Sequence, residues 1–469
     1  MYMHTLARNI TLGSLVRFSL PTVFMMIFTS LYTIIDGIFI SNFIGQDGLS
    51  GLNIVFPVVS ITMGLAIMFA TGGSAIVAKK MGEGKKEEAN QCFTFLFIIL
   101  MILGALVTAG ILTFINPILS FLGAVDTLYF YSYDYLFTII IFLMLTLAKI
   151  FLEFFLVTAG KANLALINSI IGGITNIILD YVFMGPLNMG IAGAAYATEI
   201  AMIIPVMLSF IYFSSKKLTI YFAKPKGSIK LLLLSCANGS SEMITQISSG
   251  ISTYLFNIYM LQYIGTTGVA ALTIIMYTQF LFISMMLGFS SGISPLVSFN
   301  YGQKNSLKLH KIVKYSLMIT GAFSILSFTL SQALASPITA FFSNGSTDLY
   351  NTTIYGFRIF SFAFLICHFN IFSSGLFTAF SNGLISALVS SFRSLIFFIL
   401  WILILPLLLN ITGIWLVVPF AEVTTLIFTI FFLFIYRNKY GYSKKQSILF
   451  EKQQSATKTV SENTLQTEA

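Results

Sequence analysis

Apolar runs of roughly 20 residues follow one another along nearly the whole chain, each closed by a short polar, charged or Gly/Pro/Asn-rich break. A helix needs a run of that length to cross the hydrocarbon core of a bilayer. The pattern predicts twelve spanning helices, over 18–41, 51–77, 91–115, 131–158, 164–184, 191–213, 231–261, 269–297, 314–335, 353–379, 385–409 and 413–436. The shortest breaks are Ala159-Gly160-Lys161 and Gly185-Pro186-Leu187. The first run is too long for a cleavable leader and reads as a membrane helix. The stretch from Arg437 is rich in Lys, Gln, Ser and Thr, and predicts a solvated, disordered tail.

Charge placement tests the helix count. With the N-terminus inside, every second loop is cytoplasmic. Those loops and the two tails then hold all 25 Lys and Arg except Lys149, Arg358 and Arg393, which lie within helices. Cytoplasmic loops carry such an excess of positive residues. A wrong count would scramble the pattern, so both termini are expected in the cytoplasm and the protein in the cell membrane.

Composition agrees. Hydrophobic residues make up 57% of the chain, charged residues 9%, and mean hydropathy is +0.92. A soluble domain carries roughly 25% charged residues. Lipid is therefore the expected solvent, and 48 Phe beside 2 Trp suit a lipid-facing exterior. The net charge of +9 marks topology and not a nucleic-acid partner. Cys92, Cys236 and Cys367 give neither a disulfide framework nor metal-ligand spacing, and His4, His310 and His368 show no ligand spacing. No nucleotide-binding loop is present, and no cofactor is implied.

The chain repeats itself. Shifted by 220 residues, Gly45 meets Gly265, Gly48 meets Gly268, Gly72 meets Gly292, Gly82 meets Gly302, Thr158-Ala159 meets Thr378-Ala379, and Gly193 meets Gly413. The expected fold is all-α: two six-helix bundles related by a pseudo-two-fold axis along the membrane normal. The units are an N-terminal lobe 1–213, a cytoplasmic loop 214–230, a C-terminal lobe 231–436 and the polar tail 437–469. Two-bundle transporters hold substrate between their halves and alternate access. Duplication that merely builds a stable bundle is the plainer reading.

The halves differ in their intramembrane acids. A charged group at the bilayer centre costs about 2.5–3.5 kcal/mol on insertion scales, so each one present needs a reason. Asp36 lies in the first helix and Asp180 in the fifth, with Asn176 four residues before it on the same face. Thr198 in the sixth helix falls at a similar depth. Their counterparts for the three charged or amide positions are Phe256, Ile396 and Leu400. Structural glue common to both bundles should appear twice; this cluster appears once. Two carboxylates in a poorly solvated cavity resist both being charged, as a proton site requires, and the same oxygens suit Na⁺. An interfacial cap reaching headgroup water is the alternative.

Pro21 precedes Asp36 near the start of the first helix, and can kink it or be simply tolerated there. Glu153 shares a face with Lys149, four residues earlier, either as a structural ion pair or as a cation-attracting group in a substrate cavity. Glu242 and Gln246 share a face of the seventh helix and are further cavity candidates. Arg358, Arg393 and Glu422 read as packing or interface residues. Adaptable Met side chains suit a promiscuous chamber.

Several stretches resemble the multidrug and toxic compound extrusion (MATE) family, in its DinF-like branch, and among them the multi antimicrobial extrusion proteins. They are Phe18-Ser19-Leu20-Pro21, Tyr32…Asp36-Gly37, Gly72-Gly73-Ser74 leading to Lys79-Lys80-Met81-Gly82, Asn176-Ile177-Ile178-Leu179-Asp180, Gly190-Ile191-Ala192-Gly193 and Gly292-Ile293-Ser294-Pro295…Asn300-Tyr301-Gly302. The resemblance covers about residues 10–440. It implies a two-lobed, outward-facing V exchanging drug for H⁺ or Na⁺. It also implies a cation site at Asp36, Asn176, Asp180 and Thr198, bending at Pro21, and a fourth-helix glutamate at Glu153. Lys149 stands where the family pattern leads one to expect an apolar residue. Carboxylates that other branches place in the second lobe have no clear counterpart beyond Glu242.

The expected function is secondary active efflux of amphipathic cations, with drug, H⁺ or Na⁺ and membrane lipid as partners. A lipid-linked saccharide flippase of the same superfamily is the alternative. It would want a cationic cavity for phosphate, for which only Lys149, Arg358 and Arg393 are at hand. A non-transporting scaffold is a third reading, opposed by the one-sided acids.

Overall fold

The structure, a computed structural model, describes residues 10–451 apart from 344 and 345. His4, Arg8, Lys452 and Lys458 lie outside the described residues. The described residues are mostly helical, and no strand occurs among them. Helix α1 is Leu12–Phe43, α2 Gln46–Gly82 and α3 Lys86–Thr113. A short helix, Ile115–Phe121, leads into α4, which is two segments, Asp126–Ile141 and Leu143–Thr158, bent by 57°. Then come α5 Ala162–Met184 and α6 Gly190–Ser214, interrupted at Met202. The second half has α7 Ile229–Tyr263, α8 Thr266–Gly302, α9 Ser306–Ser343 and α10 Thr347–Ala379. Gly383–Tyr436 is one run of 54 residues in which Asn410 (φ 51°, ψ −131°) breaks the helical path. It divides into α11 (383–409) and α12 (411–436).

Among the described residues, nine helices are long and apolar enough to cross a membrane when Gly383–Tyr436 counts as one, and the bent α4 makes a tenth. The count reaches twelve on two physical grounds. A run of 54 residues rises about 80 Å, far beyond one bilayer, so the break at Asn410 separates two crossings. Helix α7 is 35 residues long but dilutes its hydropathy with Asn238, Ser240, Ser241, Glu242 and Gln246, of which Asn238 and Ser241 are buried and the rest half-buried. Several helices outrun their apolar cores because backbone hydrogen bonding continues into capped ends. Thr11 caps α1 with a reciprocal bond to Ser14, and Ser228 caps α7 by accepting from Leu231 N.

The repeat is visible in the backbone. Left-handed turns recur at Gly45 and Gly265, Gly84 and Lys304, and Gly190 and Asn410, each pair 220 apart. In the middle of each half the spacing is one residue longer: α4 and α10 begin at Asp126 and Thr347, and α5 and α11 at Ala162 and Gly383. This shifts the counterparts of Asn176 and Asp180 from Ile396 and Leu400 to Phe397 and Trp401, still without a carboxylate.

The lobes meet α1 against α8 and α2 against α7. Near the Lys-rich end the backbones touch. A Cβ on Gly82 would run into the carbonyl oxygen of Phe299, and one on Gly302 into that of Lys79. Residues 79 and 299 are themselves partners in the repeat, so this contact obeys the two-fold. One core joins the lobes at that end, taking in Ala70 and Val77 of α2 with Ile293 and Val297 of α8. Towards the other end the cores part. Phe256, Leu272 and Trp415 form one in the second lobe, and Ile40, Met184 and Ala194 a separate one in the first. Between the lobes there, a cavity of about 360 Å³ is walled by Ile34 and Ile38 of α1, Tyr277 and Leu281 of α8, and Leu334 of α9.

The expected free tail is corrected over its first residues. Tyr440 and Tyr442 are buried, and both stack on Phe380. The Tyr442 carbonyl lies 2.8 Å from His310 Nδ1. The loop between the lobes is also fastened. Asn90 of α3 accepts from Tyr221 N and donates to Thr219 O, and Thr94 Oγ1 accepts from Ala223 N.

Candidate cation site

Helices α1 and α5 run side by side in register. Thr29 Oγ1 lies 3.1 Å from Ser169 Oγ, Tyr32 lies on Gly173, and Ile40 shares a core with Met184. Steps of three or four residues keep each contact on one face. The same stripe brings Asp36 to Asp180, within hydrogen-bonding reach of each other. Asp36 stands seven residues from the end of α1 and Asp180 four from the end of α5, about 10 and 6 Å from the end away from the basic loops.

Asn176, one turn before Asp180, donates from Nδ2 to Thr198 Oγ1 at 3.4 Å. So the four residues singled out by sequence are neighbours on α1, α5 and α6. Asp180 is 0% exposed and Asn176 2%. Both carboxyl oxygens of Asp180, Oδ1 of Asp36 and Oδ1 of Asn176 are buried and receive no hydrogen bond. Buried acceptors are ordinarily satisfied, and buried charges are ordinarily paired. Four unsatisfied oxygens from three residues make an electron-rich pocket that a proton or small cation would complete. A cavity of about 20 Å³, room for one water-sized guest, is lined by Tyr32, Lys149, Gly173, Asn176 and Thr198 among others. Among the described residues, no three His, Cys, Asp or Glu side chains gather as metal ligands.

Glu199, beside Thr198, is a further buried acid that the sequence reading passed over. Thr146 Oγ1 of α4 lies 2.9 Å from each of its carboxyl oxygens. Tyr135 of α4 is within electrostatic reach of Asp36, Asp180 and Glu199 together. An acid inside a span was the signal that picked out Asp36, and it applied equally here.

The other candidates sit elsewhere. Lys149 Nζ is 2.6 Å from Glu153 Oε2, so the helical spacing does form the ion pair. Glu153 is buried, and its Oε1 is without a donor. Tyr32, one turn before Asp36 on α1, lines the small cavity together with Lys149. Pro21 is in the interior of α1, which begins at Leu12, and not in the first turn where proline is easily tolerated. Glu242 and Gln246 are half-buried on α7, away from the Asp36 group; Gln246 packs on Gly64 of α2 across the lobe boundary. Arg393 Nε bonds Glu422 Oε1 at 2.9 Å, and Asn370 Nδ2 bonds Glu422 Oε2 at 2.8 Å. Arg393 and Glu422 thus neutralise one another in the second lobe, whereas among the described residues Asp36, Asp180 and Glu199 of the first form no ion pair.

The MatE family model matches residues 21–182 and again 242–403. The chain belongs to the MatE family. The two matches are displaced by the 221 residues that separate α4 and α5 from α10 and α11, so each MatE match falls within one lobe. Among relatives of this MatE chain, the multidrug export protein MepA of Staphylococcus haemolyticus is 23% identical over 335 residues, covering 70% of this chain and 73% of MepA. The crystal structure of a MATE in complex with MaL6 superposes with a TM-score of 0.89 at 22% identity, over 94% of this chain and 99% of that one. An outward-facing multidrug resistance MATE family transporter of the MOP superfamily gives 0.88, also at 22%, over 93% and 98%. At that identity the structures establish the shared two-lobed fold.

Proposed function

We propose that this MatE chain is a secondary active multidrug exporter. Amphipathic, cationic small molecules leave between the lobes in exchange for H⁺ or Na⁺ taken up at Asp36, Asn176, Asp180 and Thr198. The observation that carries the reading is the set of buried, donorless oxygens in one lobe only. Paired or vacated, such a group changes the free energy of its helix packing, because an uncompensated buried charge is costly. Helix α1 bears Asp36 in the first lobe and packs on α8 of the second, so a charge change there bears on both.

The basic end is the cytoplasmic end by the distribution of Lys and Arg, which puts both termini inside and the parted cores outside. Drug then leaves towards the open side as the ion enters. Pro21, with no amide hydrogen to give to the preceding turn, is the flexible point below Asp36. Glu242 and Gln246 border the interlobe space and contact substrate there. Glu153 is engaged by Lys149 and is not a free attractor of drug. MepA, a multidrug export protein, supports the substrate class. The flippase reading loses ground because Lys149 and Arg393 are each bonded to a carboxylate and offer phosphate no open cationic pocket.

The test is reconstitution in liposomes with separately imposed pH and Na⁺ gradients, following ethidium. Asp36→Asn or Asp180→Asn should abolish efflux while the protein still inserts. Near-normal efflux by both variants removes the mechanism.

A further inference from the structure

In both lobes the chain leaving the sixth helix folds back onto the third. Asn90 of α3 holds residues 219 and 221, and His310 of α9, 220 residues further on, lies 2.8 Å from the Tyr442 carbonyl. The second lobe then adds something the first lacks. Tyr440 stacks on Phe380 with ring centroids 4.6 Å apart, and both rings meet Tyr301, at the end of α8, edge to face at 5.7 and 5.4 Å. The first-lobe places of Tyr301, Phe380 and Tyr440 hold Met81, Ala159 and Ile220. Tyr301 also carries a cation from across the lobe boundary: Lys79 Nζ, at the end of α2, stands 5.2 Å from its ring centre.

We propose that residues 437–443 are a latch on the cytoplasmic gate. Through Tyr440 they hold Tyr301 under the Lys79 ammonium, and so favour the state in which the cytoplasmic ends of the two lobes are closed.

Three observations support it. First, the contact spans the lobes where their backbones touch, since a Cβ on Gly302 would strike the carbonyl oxygen of Lys79 itself. Any opening of the cytoplasmic side pulls Lys79 off Tyr301. Second, Lys79 is committed to that ring. Its neighbours Lys80 and Lys85 pair with Glu88 and Glu83, whereas Lys79 forms no ion pair among the described residues. An ammonium over an aromatic face is attracted by the ring. Third, the segment is fixed. Tyr440 and Tyr442 are buried, and Gly441 turns through the left-handed region (φ 75°) where a side chain would crowd Ser306 Oγ of α9. A tyrosine already held by its neighbours has little rotamer freedom to lose when the lysine arrives. A contact made in one state and lost in the other shifts the population between them. The plainer reading is a strap that only steadies the second lobe.

The experiment measures the distance between the cytoplasmic ends. Nitroxides are placed at Glu83→Cys and Gln303→Cys, the residues that follow the touching glycines, with the half-buried Cys236 replaced by alanine. Electron–electron dipolar coupling is recorded in lipid nanodiscs without drug or ion gradient. With no other change the labels should be mostly close. Tyr440→Ala should raise the far population several-fold, and Tyr440→Phe, which keeps the ring, should not. Lys79→Gln should match Tyr440→Ala, and the two together should add little, because both act on one contact. Fully additive effects would leave only the strap and overturn the latch. So would a far population unmoved by Lys79→Gln, a variant that leaves the tail intact and decides the matter even if Tyr440→Ala fails to fold. The readout is a distance, so failure of ion coupling at Asp36 and Asp180 would leave it unaffected.

Discussion

Tyr32 lies across Gly173, so close that a Cβ on the glycine would stand 2.8 Å from Tyr32 Cδ1 and would strike Phe28 as well. Small residues let membrane helices approach in this way. That approach is what sets Asp36 beside Asp180, one and two turns further along. Gly173→Val should force the helices apart at a cost of about 1–3 kcal/mol. Efflux should fall at least as far as stability. Gly172→Ala, whose Cβ would meet chiefly Pro205 Cγ at 3.3 Å, should be nearly silent. Ethidium efflux and thermal unfolding in detergent, measured on both, check the contrast.

Pro21 interrupts the hydrogen bonding of α1 in its interior. Alanine there restores an amide donor and stiffens the helix. The variant should insert normally, unfold no more easily than wild type, and export ethidium several-fold more slowly. Undiminished export would show that α1 does not need to bend at this point.

The second lobe's ion pair is structural. Arg393→Gln leaves Glu422 buried and unopposed, and should destabilise the protein by about 3–5 kcal/mol. Replacing both, Arg393→Met with Glu422→Leu, should recover most of that loss. Thermal unfolding of the three proteins decides; equal losses in single and double variants would contradict the assignment.

The loop between the lobes hangs on Asn90. Alanine there leaves Tyr221 N and Thr219 O without their side-chain partner, at about 1–3 kcal/mol if they stay dry. The expected result is faster proteolytic cutting within 215–228 with the helices intact. Unchanged cutting would mean that the aromatic contacts of Phe222 hold the segment alone.

Much of this architecture is legible in the sequence, because lipid enforces it. Spans follow from apolar length, and the repeat from glycines that turn the chain or let the lobes touch. Asp36, Asn176, Asp180 and Thr198 stood out as polar groups in an apolar setting, and i, i+4 spacing foretold both the Asn176–Asp180 face and the Lys149–Glu153 pair. What escaped depends on partners distant in the chain. Glu199 acquires meaning from Thr146, 53 residues away. Tyr440 and Tyr442 sit in a polar segment, and only their stacking on Phe380 shows that it is anchored. The break at Asn410 replaces a loop with a single residue, which composition alone does not reveal.

Ion release on drug binding tests the exchange most directly. In weakly buffered detergent solution, adding ethidium to the wild-type protein should release protons, or Na⁺ if that is the bound ion. The double variant Asp36→Asn/Asp180→Asn should bind drug and release neither. Release of either ion at wild-type levels by the double variant would contradict the assignment of the exchange to these two carboxylates.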